Sequence, residues 1–258
     1  MKEFLTLDKL KPFIWISCIL LIWEVTSKLN LVPVYVLPPF SSVAVMMYEQ
    51  LLSGELLVQS ARSIGVILQA IIISILLSII ISYLCILSRN VNSIIMTFCA
   101  IFNPLPSIAV LPLVMIWFGI TGNATLVLVI HATLWPMILS LVAGFKSIPK
   151  VHIDAARNLE LSTFRMVVDV LLFGTMIHFI AGIQTAWSRA WRALLGIEMI
   201  FGSTQGGGLG FFIYRQRAFA NVTGVFVGIL VIIIIGMLVE TVLINTITKN
   251  TVHKWGME

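Results

Sequence analysis

Charge is what this sequence has least of. Only 10% of its 258 residues are Asp, Glu, Lys or Arg, whereas 59% are hydrophobic and the mean hydropathy is +1.07. A soluble domain carries roughly 25% charged residues to cover its surface. The shortage excludes a water-soluble globule of this size and makes lipid part of the solvent. Cysteine is scarce too: Cys18, Cys85 and Cys99 lie in apolar runs, without disulfide or metal spacing, and read as small buried hydrophobes. No His, Asp or Glu cluster has the spacing of a metal site or a nucleophile with its base, which argues against a membrane-embedded enzyme. A P-loop is missing as well. Gly206, Gly207 and Gly208 lack the lysine and hydroxyl that would follow them in GxxxxGK[ST], so no ATP hydrolysis is expected on this chain. No small-residue cleavage site follows the apolar run after Lys9 and Lys11, which is read as an uncleaved first span.

What is present is long apolar runs. Residues 13–23 begin a span that Glu24 interrupts, and residues 64–87 are free of charge. Residues 90–145 are also free of charge, too long for one crossing, and "GITGN" at 119–123 supplies the turn that divides them. Residues 170–188 and 218–239, the latter running on to about Ile247, complete a count of six helices. The expected organisation is a first helix with an outer loop and interfacial helix over 1–63, a five-helix core over 64–247, and a tail over 248–258. Pro38 and Pro39 break the chain ahead of a surface-lying stretch from Ser42 to Leu52.

The net charge of +5 is scattered between the spans, reading as a topology signal and not as a nucleic-acid patch. With both termini in the cytoplasm, the inner segments hold Lys2, Lys9, Lys11, Arg89, Lys146, Lys150, Arg157, Arg165, Lys249 and Lys254. The outer segments hold Lys28, Arg62, Arg189, Arg192, Arg215 and Arg217.

"HIDAARNLEL" (152–161) interrupts the apolar pattern on the inner side. Ser147 is placed to cap a helix that Pro149 pre-organises, and Ser162 to cap a second. Ala155, Ala156 and Leu159 share one face, with Asp154, Arg157, Asn158 and Leu161 around the remainder. Physics alone leaves two readings open: an ordinary loop, or a plug for a partner's groove.

This block resembles the cytoplasmic loop of binding-protein-dependent ABC importer permeases. Their pattern runs Glu-Ala-Ala, three residues, Gly, nine residues, Ile, one residue, Leu-Pro. Asp154, Ala155 and Ala156 take the first places, Glu160 the glycine place, and Val170, Leu172 and Phe173 the last. "VLPPFSSV", "NPLPSIAVLPLVMIWFGIT" (103–121), "AGIQTAWSRAWRALLGIEMIFGS" (181–203) and "GGGLGFFI" (206–213) resemble the nitrate, sulfonate and taurine branch in order and spacing. The likeness covers about residues 33–245 and implies an all-α, type I ABC importer permease fold in a bacterial inner membrane. Residues Asp154 to Glu160 would be the coupling helix. Two ATPase subunits would bind ATP and Mg, two copies of this chain would form the path, and an extracytoplasmic binding protein would deliver the solute. No cofactor is expected on the chain itself. The glycine place implies a positive φ, which makes Glu160 an expected strained turn.

Candidates for the path are Arg189, Arg192, Arg215 and Arg217, whose guanidinium groups suit planar oxyanions. Arg189 reads equally as scaffold. Glu198 is expected either to pair with Arg189 or Arg192 or to act as a gate. Gly206, Gly207, Gly208 and Gly210 suit a tight turn near the pore. Pro104, Pro106 and Pro112 would kink span three. His131 and His178 read mainly as packing residues. The competing function is a gradient-driven secondary transporter with His131, His178 or Glu198 as proton relay.

Overall fold

A computed structural model of the chain describes residues 2–202 and 207–244, with side chains from residue 11 to 241 apart from residue 163. Gly206, the tail at 248–258 and the extension of the last span to Ile247 lie outside the described residues.

The described residues form helices: α1 (Lys2–Lys28), α2 (Phe40–Leu52), α3 (Glu55–Leu87), α4 (Arg89–Phe102), α5 (Ser107–Phe118), α6 (Gly122–Ser147), α7 (Lys150–Asn158), α8 (Thr163–Arg165), α9 (Met176–Phe201), α10 (Leu209–Ala218) and α11 (Val222–Leu238). A π-helical stretch, Met166–Leu172, leads from α8 towards α9, and another, Val239–Ile244, extends α11. The protein is an all-α integral membrane protein. Three helices are long and apolar enough to cross a bilayer: Glu55–Leu87, Gly122–Ser147 and Val222–Thr241. Two bent pairs qualify as broken spans, α4 with α5 at 103° and Met166–Leu172 with α9 at 87°. Together with α1, this is consistent with six crossings.

The breaks fall where the backbone ladder cannot continue. Thr121, in "GITGN", caps α6 with its hydroxyl to Ala124 N at 3.3 Å, as that turn predicts. "NPLPS" breaks span three outright: Pro104 and Pro106 lie between α4 and α5, and only Pro112 is inside a helix. The expected kink is therefore a near right-angle corner, because closely spaced prolines remove donors from both turns.

Two boundaries move. α3 begins at Glu55, well before the charge-free run, and its 33 residues reach about 50 Å, beyond a hydrocarbon core of about 30 Å. Its first turns therefore form a polar platform, and the boundary at 63/64 falls inside it. α9 runs to Phe201, so Arg189 and Arg192 lie in the body of the helix, on the continuation of span five expected for them.

Helix α9 packs antiparallel to α3 and α6. Small residues allow the α6–α9 approach: a methyl group on Gly144 would lie 2.8 Å from the Cβ atoms of His178 and Thr175. Buried hydroxyls bridge the helices, with Ser74 and Thr133 paired at 2.6 Å and Ser140 donating to the His178 carbonyl at 2.6 Å. The main core gathers Ile67, Leu128, Leu194 and Phe212, all fully buried. Cys85 and Cys99 are buried among Ile138 and Val142, as expected, but Cys18 is exposed on α1. A membrane helix presents such residues to lipid.

Candidate functional site

The predicted site residues fall into three places. At the end of the bundle where α3 begins, Glu198 is 7% exposed. Ser63 Oγ donates to its carboxylate at 2.8 and 3.0 Å, and the Gly210 amide donates at 2.8 Å. Ser63 in turn accepts from Leu209 N at 2.9 Å, and Gln59 Oε1 accepts from Gly208 N at 2.6 Å. The acidic group thus sits at the N-terminus of α10, where free amides and the helix dipole favour it. Neither Arg189 nor Arg192 pairs with Glu198, contrary to the first alternative; its partners come from α3 and the glycine loop.

The glycines serve this knot. Gly207 and Gly208 have φ of +104° and +138°, conformations that L side chains rarely adopt. A Cβ on Gly208 would collide with the Glu198 carboxylate, and one on Gly210 with the Leu195 carbonyl. A cleft of about 290 Å³ adjoins the knot, lined by Arg62, Gln69, Glu198 and Gly207 among others. Nearby, Arg215 forms an ion pair with Glu55 and lies over the Phe212 ring, 5.7 Å from its centroid. That arrangement removes Arg215 from the free cations.

Midway along the bundle lies a larger cleft of about 580 Å³. It brings Pro104, Pro106, Arg189 and Arg192 together with Asn103, Ser107 and His131. Arg189 Nη1 donates to the Asn103 carbonyl at 3.0 Å and to its side-chain oxygen at 2.9 Å. Arg189 is therefore a clamp on the α4–α5 corner, its scaffold reading. Arg192 differs: among the described residues Nε and Nη2 donate only to Ser188 of its own helix, at 3.1 and 3.3 Å, and the side chain is exposed. An arginine facing lipid at mid-bilayer costs about 3 kcal/mol or more, so this face requires water or protein against it. His131 packs edge-on to Phe102 and Trp135, with Nδ1 3.4 Å from Ser107 Oγ. His178 packs at the α6–α9 crossing and lines neither cleft.

The third place is the far end, after α6. There α7 has Pro149 at its N-cap, while Ser147 Oγ donates to the Gly144 carbonyl, so Ser147 is not the expected cap. Ser162 does cap α8, accepting from Arg165 N at 3.4 Å. The α7 C-terminus closes with Glu160 N to Arg157 O at 2.9 Å and Leu161 N to Ala156 O at 3.2 Å. That is a Schellman closure, in which the αL residue is normally glycine. Glu160 takes it at φ +48°, the positive φ expected of this position. Ala156 is only 3% exposed and faces the chain itself, so it leaves the small-residue docking face expected for it. The outward side instead carries Val151, Asp154, Ala155, Arg157, Asn158 and Leu159. A cleft of about 460 Å³ under α7 is lined by Ala155, Leu159, Val170 and Phe173 among others.

Residues 74–250 match the family described as binding-protein-dependent transport system inner membrane component. The chain belongs to that family. Among similar proteins is the taurine transport system permease protein of Escherichia coli K12, 29% identical over 230 residues, 87% of this chain and 82% of that one. A putative aliphatic sulfonates transport permease protein of Bacillus subtilis 168 is 25% identical over 225 residues, 87% and 80%. A nitrate import permease protein of Leptolyngbya laminosa is 27% identical over 140 residues, 54% and 49%. The names of these relatives refer to taurine, aliphatic sulfonates and nitrate.

Sequence reading missed several residues of this permease. Ser63 and Gln59 stand 135 or more positions from the groups they hold, and no local pattern announces such pairing. Gln184 and Ser188 did leave a signal, a four-residue polar repeat ending at Arg192 within an apolar helix.

Proposed function

We propose that this permease is the membrane-spanning subunit of an ATP-driven importer for a small anionic solute of the sulfonate, taurine or nitrate type. It couples to a separate ATPase through α7. One observation carries the coupling: Val151, Leu159 and Phe164 in and beside α7 are 72%, 73% and 75% exposed, beside the exposed charges of Asp154 and Arg157. Apolar side chains among charges, at the end of the bundle, suit a groove on another protein. The π-helical stretch Met166–Leu172 follows α8 and joins the α7 end to α9 through an 87° bend. Docking motion at α7 is thereby passed to the helix that carries Arg192.

Placing Arg189 and Arg192 inside α9 strengthens the charge bias, leaving four basic residues on the outer side against ten inside. This supports cytoplasmic termini and a cytoplasmic α7. In this reading two copies of the permease form the path and two ATPase subunits carry ATP and Mg; an external binding protein delivers the solute, which the binding-protein-dependent description of the family supports. The gradient-driven alternative is weakened at Glu198, whose carboxylate is held by Ser63 and Gly210. The test is affinity purification of the tagged permease from its host. An ATPase subunit is expected with wild type and with Glu160→Gly, and is lost with Leu159→Asp. Wild type without any ATPase, with uptake that collapses on dissipating the ion gradient, would overturn the proposal.

A further inference from the structure

The outward side of α9 is polar halfway down an otherwise apolar bundle. Gln184, Thr185, Ser188 and Arg192 are all exposed, and Gln184, Ser188 and Arg192 repeat every four residues, so they share one face. Lipid supplies no partner for such a stripe, which must therefore border water or a second copy. No carboxylate among the described residues pairs with Arg192. Its contacts to Ser188 hold the guanidinium in place and leave its charge uncompensated. The same cleft is lined by His131, whose buried Nε2 has no hydrogen-bond partner in the described structure. Nδ1 lies 3.4 Å from Ser107 Oγ, and in the tautomer with its proton on Nε2 the ring carries a donor that has no acceptor among the described residues and needs only a small ring movement to reach the cleft.

We propose that Arg192, with His131 as second donor, forms an oxyanion-reading site inside the permease itself, taking the sulfonate or nitrate-like group of the solute. A guanidinium fork matches planar pairs of oxygens, and a charged donor makes the stronger class of hydrogen bond. Arg189 is not the reader, because Asn103 already occupies it; it positions the corner that forms one wall. The volume of about 580 Å³ admits a small anion with part of its hydration. Selection would then occur twice, once at the external binding protein and once within the membrane.

This inference rests on the importer reading, and the experiment separates the two. The permease–ATPase complex, purified in lipid nanodiscs, is titrated by calorimetry with methanesulfonate and with dimethyl sulfone, a neutral molecule of similar shape. Wild type is expected to bind methanesulfonate and not the sulfone. Arg192→Gln weakens binding roughly tenfold or more, Arg192→Lys retains part of it, and His131→Phe weakens it less. Thermal unfolding without ligand stays as in wild type for Arg192→Gln, because among the described residues that side chain bonds only its own helix. Equal binding by Arg192→Gln, or no preference for the anion over the sulfone, overturns the oxyanion site and leaves the importer reading intact. Failure to recover any ATPase with the wild-type chain overturns the importer reading instead.

Discussion

The knot around Glu198 and the loop around Leu159 occupy opposite ends of one bundle, and they treat their awkward groups in opposite ways. At the Glu198 end a costly buried carboxylate meets donors from α3, the glycine loop and α10. Little is left for an outside partner. At the Leu159 end, side chains that favour burial stand in the open, and one backbone residue accepts a strained conformation. The first pattern belongs to a structure complete in itself, the second to a surface that becomes complete on assembly. The mid-bundle cleft combines both, since Arg189 is satisfied internally and Arg192 is not.

The comparison breaks most sharply at Gly208. Gly208→Ala would need φ +138° and would drive a methyl into a carboxylate that Ser63 and Gly210 hold in place. The expected loss is about 3 kcal/mol, read as thermal unfolding of the detergent-purified chain. Glu198→Ala alone costs about 2 kcal/mol, because Ser63 and the Gly210 amide lose their acceptor. The double variant should lose less than the two losses combined by about 1 kcal/mol, since the methyl then occupies vacated space. Strict additivity would show that the two residues do not share one packed knot.

Arg189→Ala comes next. It removes two hydrogen bonds from Asn103, at the corner where α4 turns by 103° into α5. About 1–2 kcal/mol of stability should go with them, and Arg189→Lys should recover only part, since an ammonium lacks the planar fork. If Arg189→Ala instead unfolds as wild type while anion binding disappears, the roles of Arg189 and Arg192 have been exchanged.

How much of this was legible in the residues depends on range. The turn at "GITGN" and the corner at "NPLPS" could be read locally, because proline, glycine and capping hydroxyls act within a turn or two, whereas the αL place at Glu160 came only from the resemblance, whose pattern has glycine there. The partners of Glu198 could not, since the chain returns from residue 63 to 198 only after folding. Charge counting ended span five at residue 188 and put Arg189 and Arg192 on its helical continuation at the outer side, because a charge normally ends a membrane span. Here a polar face lets the helix continue to Phe201. Periodicity placed Ala155, Ala156 and Leu159 on one face of α7, yet only Ala156 is buried against the chain while Ala155 and Leu159 point outward.

Glu160→Gly carries a smaller effect of opposite sign. Glycine adopts φ +48° without the Cβ penalty, so the Schellman closure of α7 should gain about 1 kcal/mol. Backbone hydrogen exchange across Lys150–Asn158 should slow accordingly, with coupling intact or improved. Faster exchange, or a clear loss of ATPase stimulation, would mean that the Glu160 side chain makes a contact outweighing its strain.

Leu159→Asp should change stability least, by under about 0.5 kcal/mol, because an exposed side chain gives up little burial when replaced. Its effect should appear in association alone: unfolding as in wild type, with the ATPase subunit no longer recovered. That separation sharpens the contrast between the two ends of the bundle. A residue whose removal costs the fold nothing and the assembly everything belongs to an interface, whereas Gly208 should show the reverse order, with loss of fold preceding any loss of partner. Should Leu159→Asp instead unfold the chain as readily as Gly208→Ala, then α7 is held by its own bundle and the docking surface lies elsewhere, with Phe164 as the next exposed apolar residue to replace.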